Sequence, residues 1–281
     1  MTKSMTISRI AGKAVCYLVV VIIFVVAVFP FFHLLSSALR PYSELFARPP
    51  LLLPKTFTLE WFQKVLNYSK FFQYFRNSII TALGSTLLSV AIGCMAAYSI
   101  TRGGYRGKNL FSKAILVAYM FPPIILVIPL FQIVNGIGLA NTHFGLILTY
   151  ITFSFPFSAW MLVSYFKTIP KDIEEAAKVD GASNLRVFTQ IILPLAMPAV
   201  VTAATFTFIN SWNEFLYAFV LANSDVTKTL PVALYSVKGG EMMEWGPVLA
   251  WSAMLVVPSL IFFLCFSKHI VSGLTAGAVK G

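Results

Sequence analysis

The sequence predicts an all-α, polytopic membrane protein with six transmembrane helices, and three observations carry that expectation. Of 281 residues, 58% are hydrophobic and only 11% are charged, against about 25% charged in an ordinary soluble domain. The mean hydropathy is +0.81. The apolar residues gather in six runs, each near or above the ~20 residues a helix needs to cross a bilayer. The expected spans are residues 14–35, 72–100, 114–134, 144–166, 191–221 and 245–266, within one transmembrane domain covering residues 1–281.

The first run follows Lys3, Arg9 and Lys13, as the apolar part of a signal peptide would. It is longer than the usual 7–15 residues of such a segment, and five more runs follow, so it reads as a membrane helix. The polar stretch after it, roughly residues 36–71, is long for a loop. Its "FTLEWFQKVL" is amphipathic. The second run carries Asn77, Thr81, Ser85, Ser89, Gly93 and Ala97 at a spacing of four. Such a stripe of small or short polar residues lets two helix backbones approach closely in lipid, and lining a pore is the alternative. The third run contains Pro122, Pro123 and Pro129. Proline removes an amide donor and kinks a helix, and the freed carbonyls then need partners or a wet cavity. That fits either a hinge or a bent packing helix.

The fifth run ends in "FINSWNEFLYAF". On a continuous helix Asn210, Asn213, Glu214 and Tyr217 share one face, at i, i+3, i+4 and i+7. A carboxylate at membrane depth is costly and faces the interior or water. These four residues are therefore the candidate wall of a translocation path, against the plainer readings of an interfacial anchor or a helix–helix contact.

Lys and Arg number 21 against 10 Asp and Glu, a net charge of +11. In a soluble chain that excess would suggest nucleic acid; here topology explains it, because cytoplasmic loops collect Lys and Arg. Placing both termini inside puts Arg102, Arg106, Lys108 and Lys113 in one inner loop and Lys167, Lys171, Lys178 and Arg186 in the next. The two short outer loops then hold only Lys228 and Lys238, while the first outer loop runs against the trend. Cys16, Cys94 and Cys265 lie in apolar runs without metal-like spacing, and His33, His143 and His269 are isolated. "RGGYRGKN" does not meet the phosphate-loop pattern. The chain is thus expected to be no enzyme and to hold neither metal nor nucleotide.

The densest charge lies in the loop 167–190, within "DIEEAAKVDGASNLRVFTQIILP" from Asp172 to Pro194. Pro170 suits a first helical turn. Asp172, Glu174 and Glu175 put negative charge at the positive helix end, and Glu174 and Lys178 stand at i, i+4 in the preferred order. Ile173, Ala176 and Ala177 form a small apolar face. Gly181 can end the helix in a left-handed conformation, and Ser183 can cap a second helix. The expectation is a helix-turn-helix on the cytoplasmic surface with a face free to dock a partner.

The spacing is more specific than that. "EAAKVDG" followed by "IILP" meets E-A-A-x3-G-x9-I-x-L-P at Glu175, Ala176, Ala177, Gly181, Ile191, Leu193 and Pro194. This resembles the EAA motif of permease subunits of bacterial ABC importers. "FRNSI" (Phe75–Ile79), "AAYSITR" (Ala96–Arg102), "WNEF" (Trp212–Phe215) and the tail "GLTAGAVKG" (Gly273–Gly281) are similar to the binding-protein-dependent, maltose-type carbohydrate-uptake group, close relatives of the glycerol-phosphate permeases. The resemblance covers almost the whole chain.

It implies a permease of the bacterial inner membrane that moves a sugar or oligosaccharide by alternating access. The implied partners are a homologous second permease subunit, two ATP-binding cassette ATPase subunits that bind ATP and Mg, an extracytoplasmic solute-binding protein and membrane lipid. Glu174, Glu175, Ala176, Ala177, Asp180 and Gly181 would couple to the ATPase, and the tail Gly277, Ala278, Val279, Lys280 and Gly281 would contact it. A glycerol-phosphate or other polyol permease is the alternative within the family. An ion-coupled secondary transporter is the alternative outside it, and would need more intramembrane ionisable groups than Glu214. A scaffold subunit would not need prolines and polar stripes inside its spans.

Overall fold

A computed structural model describes the backbone of residues 2–238 and 244–278, and side chains of residues 12–236 and 244–268. Every regular element among the described residues is helical, because a backbone in lipid must satisfy its own hydrogen bonds. The chain divides into two units, Met1–Tyr68 with Lys238–Met254, and Ser69–Val237 with Leu255–Gly281.

In the first unit, helix α1 (Thr2–Ala38) is followed by the short α2 (Tyr42–Leu45) and α3 (Glu60–Leu66). From Val15 to Phe32 the large apolar side chains of α1 stay exposed on the chain, as an all-round apolar span surrounded by lipid requires. The loop after α1 is built on polar anchors. The Arg40 guanidinium donates to Ser36 Oγ at 2.7 Å, Ser36 Oγ donates to the Leu52 carbonyl at 2.6 Å, and Trp61 Nε1 donates to the Arg40 carbonyl at 2.6 Å. As the amphipathic pattern predicts, α3 buries Trp61 and Val65 and leaves Lys64 out. A Cβ at Gly246 would lie 2.3 Å from the Trp61 ring, so only glycine admits that indole.

The second unit holds α4 (Phe71–Arg102), α5 (Lys108–Met120), a 3-10 turn (Pro123–Leu126), α6 (Val127–Gly136) and α7 (His143–Phe166). After these come α8 (Asp172–Val179), α9 (Asn184–Val187), a π-helical turn (Phe188–Ile192), α10 (Leu193–Leu195), α11 (Met197–Trp212) and α12 (Leu216–Leu221). Helix α13 (Leu230–Lys238) follows, and α14 (Trp245–Ala278) closes the chain.

The stripe on α4 is fully buried and packs within the chain. A Cβ on Gly93 would stand 3.2 Å from Ser158 Cβ, Ser85 Oγ donates to Ser211 Oγ at 3.0 Å, and Asn77 Oδ1 lies 2.9 Å from His143 Nε2. This is close packing, not a pore wall. Around Cys94, Ala97, Leu162 and Phe166 the core continues into Val187 and Ile192, so the polar loop is seated on the bundle. Trp212 Nε1 donates to the Leu255 carbonyl at 2.8 Å, and Phe208 stacks on Phe262 at 4.1 Å.

Among the described residues, four helical stretches are long and apolar enough to cross a membrane: Gly12–Ala38, Phe71–Arg102, His143–Phe166 and Trp245–Lys268. Two bent pairs bring the number to six when each counts as one span. The third expected span turns by 93° between Lys108–Met120 and Pro123–Gly136, where Pro122 and Pro123 withhold two amide donors. The fifth turns by 75° between Asn184–Leu195 and Met197–Trp212, flanked by Pro194 and Pro198. It stops again at Trp212, before α12. The continuous helix face expected for Asn210, Asn213, Glu214 and Tyr217 is therefore corrected to two helix ends that meet.

Candidate functional site: a docking helix and an aromatic cavity

Helix α8 starts at Asp172 with Lys171 as its N-cap, so Pro170 precedes the first turn and does not lie in it. Asp172 and Glu175 stay exposed at the positive helix end. Gly181 follows with φ +83°; its amide donates to the Lys178 carbonyl at 3.0 Å and that of Ala182 to Ala177 at 2.9 Å. The helix thus ends in the left-handed turn that glycine permits. Ser183 then caps the next turn, its Oγ accepting from the Arg186 amide at 3.3 Å.

Glu174 departs from the expected pairing with Lys178. It is 4% exposed and accepts a hydrogen bond from Arg102 Nε, while Arg102 Nη2 donates to the Ile169 carbonyl at 2.8 Å. Inside the bundle a guanidinium with two satisfied arms outcompetes a lysine that can remain in water. Ala177 turns half inward against the core. The outward face is Ile173, Ala176 and Val179, with Leu185 on the next turn; Val179 is 88% and Leu185 72% exposed. Glu175, Lys178, Asp180 and Arg186 are exposed around it. The six residues expected in coupling thus separate: Glu175, Ala176, Asp180 and Gly181 lie on the surface, whereas Glu174 and Ala177 hold the helix from behind. Val179 was not read into that face from the sequence, although its helical spacing from Ile173 and Ala176 carried the signal. Arg102, read from sequence as a topological charge and the end of "AAYSITR", carried no local signal of its partner 72 residues away.

A second feature lies between α5, α7, α11 and α12. A cavity of about 440 Å³ is walled by Tyr119, Phe121, Phe153, Phe157 and Phe206, with Asn210, Glu214 and Tyr217 supplying polar atoms. That volume falls among ordinary ligand cavities. Glu214 follows the end of α11 and its carboxylate caps α12, accepting from the amides of Tyr217 at 2.8 Å and Ala218 at 3.0 Å. The fully buried Tyr150 lies beside it. Tyr217 stacks on Phe153 and donates its hydroxyl to the Pro123 carbonyl at 2.6 Å, next to the break in the third span. Three of the four expected path residues therefore meet at the cavity. Asn213 does not; its amide group donates to the Ile209 carbonyl at 2.8 Å and to Ser259 Oγ at 3.4 Å. The aromatic wall escaped sequence reading because it is assembled from three elements. The tail residues Val279, Lys280 and Gly281 lie outside the described residues, as do the side chains of Gly277 and Ala278.

The model of the family described as "Binding-protein-dependent transport system inner membrane component" matches residues 89–271, more than half of the chain. The trehalose transport system permease protein SugB of Mycobacterium tuberculosis (strain CDC 1551 / Oshkosh) is 40% identical over 257 residues, covering 91% of this chain and 93% of the relative. The trehalose/maltose transport system permease protein MalG of Thermococcus litoralis is 39% identical over 261 residues, covering 92% and 93%. The inner membrane ABC transporter permease protein YcjP of Escherichia coli K12 is 35% identical over 282 residues, covering 100% and 99%. Among solved structures, a chain of a bacterial ABC transporter involved in the import of the acidic polysaccharide alginate shares the fold, with a TM-score of 0.79 over 92% of this chain and 96% of that one at 24% identity. With the EAA pattern on an exposed, glycine-ended helix, these likenesses have one reading: the chain belongs to the family of inner membrane components of binding-protein-dependent transport systems.

Proposed function

We propose that this chain is one of two membrane-spanning subunits of an ATP-driven importer of a sugar or oligosaccharide. The observation that carries the reading is α8, whose apolar face is exposed at Ala176, Val179 and Leu185 while its rear is fixed by Arg102 and Glu174. A helix presented in this way suits a protein partner. In this reading the partner is an ATPase subunit of a pair that binds ATP and Mg, docked on Glu175, Ala176, Asp180 and Gly181. A homologous permease completes the path and an external solute-binding protein delivers the solute. Both termini are cytoplasmic, each bent pair serves as one of six spans, and the tail Gly277–Gly281 reaches the ATPase.

Support for a sugar comes from two sources. Relatives at 39–40% identity are named for trehalose and maltose, and the cavity joins aromatic rings to amide and carboxylate groups, the pairing that suits the apolar face and hydroxyl rim of a pyranose. Ion coupling is disfavoured because Glu214, the carboxylate in that cavity, already accepts from two backbone amides.

The test is uptake of labelled trehalose, maltose and glycerol 3-phosphate by cells with and without the chain, in the presence of a protonophore. Protonophore-resistant uptake of a disaccharide that vanishes on ATP depletion is expected. Uptake abolished by the protonophore while ATP is held constant overturns the reading in favour of ion coupling, and uptake of glycerol 3-phosphate alone moves the substrate to the polyol class.

A further inference from the structure

We infer that Arg102 is a positioning residue of the transport cycle: through its two bonds to Glu174 and Ile169 it fixes the docking helix α8 to the end of α4, so that movement imposed on α8 is delivered to α4 and from there to the cavity. This rests on the importer reading above.

The burial is the first ground. Side-chain exposure is 10% for Arg102 and 5% for Glu174, and Glu174 is the one buried residue of α8. Taking two charges out of water is costly, and a packed apolar pair often stabilises a fold as well or better. A buried ion pair is therefore weak evidence for stability, and its best-attested use is to fix one geometry.

The geometry is the second ground. Ile169 lies before the Pro170 turn and Glu174 lies inside α8, so one planar guanidinium grips the helix on both sides of its entry. An arginine fork holds such an arrangement at fixed angle, whereas a lysine behaves as a single point charge. Ala177 also packs half-buried against the core, with Ala182 just beyond the turn.

The third ground is what α4 joins. Of the four stretches able to cross a membrane unbroken, those in α1, α7 and α14 contain Pro30, Pro156 and Pro258, and α4 contains none. At 1.5 Å per residue its 32 residues form a rod about 48 Å long. Along it, Ser85 donates to Ser211, one residue from Asn210 in the cavity wall. A displacement of α8 thus meets a helix without a built-in hinge, and α11 bears on that helix just before its break.

The test uses the complete importer complex in proteoliposomes, with Cys16, Cys94 and Cys265 replaced by serine and Asn210→Cys as reporter. The reporter's labelling by an aqueous maleimide is timed before and after the nucleotide is trapped with Mg-ATP and vanadate. Trapping is expected to change the rate when Arg102 is present. Arg102→Gln and Glu174→Gln should each trap nucleotide normally yet shrink that change about 5-fold or more, the lower end of ordinary coupling between sites. The double variant should be no worse than either single one. Arg102→Lys should recover only part, and it decides the matter if Arg102→Gln does not assemble. An undiminished labelling response in Arg102→Gln, or in Arg102→Lys where only that variant assembles, overturns the inference. So does additive loss in the double variant. A complex with Arg102 intact that traps no nucleotide instead overturns the importer reading on which the inference stands.

Discussion

The two ends of α4 carry the same kind of bond in different surroundings. At its first turn Lys70 and Tyr74 hold Asp225, with Lys228 3.3 Å away; the Asp225 and Lys70 side chains are 39% and 44% exposed. At its last residue Arg102 holds Glu174 with a tenth or less of either side chain exposed. Water screens the first pair and competes for it, so its loss costs on the order of 1 kcal/mol or less. The second has no water to fall back on. The lesson is that burial, not charge, decides which end is a rigid joint.

The largest effect should come from breaking the buried joint. Glu174→Ala leaves the Arg102 guanidinium buried without its counter-charge, a loss on the order of 3–5 kcal/mol, whereas Asp225→Ala should cost about 1 kcal/mol or less. Melting temperatures of the two detergent-purified variants measure the contrast, and equal shifts would break the comparison. Next comes the turn after α8. Gly181 has φ +83° with open space where a Cβ would stand, so Gly181→Leu costs roughly 1–2 kcal/mol through the left-handed backbone alone and sets a bulky side chain in the docking face. The permease should insert normally but lose uptake and substrate-stimulated ATP hydrolysis, while Lys108→Leu at the first residue of α5 retains both.

The smallest effect is one of pH. Hydrogen bonds from Lys70 and then Tyr74 hold the Asp225 carboxyl well below the usual carboxylate range. With the folded value depressed, its contribution is fully present above the ordinary carboxylate pKa and is lost as pH falls. The stability difference between the native chain and Asp225→Asn should therefore stay constant from pH 7 to 5 and shrink only below about pH 4. A difference that vanished near neutrality would contradict this.

Much of the architecture was legible because lipid imposes long apolar runs and few alternatives. Gly181 and Ser183 announced the turn and cap of the docking loop, and the small residues of α4 announced close packing. Two things escaped. Pro122 and Pro123 signalled a kink in the third span but not a bend of 93°, and the 75° bend of the fifth, flanked by Pro194 and Pro198, was not read at all; the size of such bends depends on what packs against them. The direction of Glu174 was also hidden: local spacing favours Lys178, and the competing Arg102 becomes a neighbour only when α4 and α7 associate. The aromatic cavity is likewise tertiary, with Tyr119, Phe153 and Phe206 coming from three helices.

The central claim is that the outward face of α8 is where the ATPase docks. A photo-reactive benzophenone side chain placed at Val179, 88% exposed on that face, tests it directly against the same group at Leu87, 70% exposed on α4. In membranes holding the complete complex, illumination should join the Val179 variant to an ATPase subunit and leave the Leu87 variant without that product. Cross-linking to the ATPase from Leu87 and not from Val179 would contradict the account.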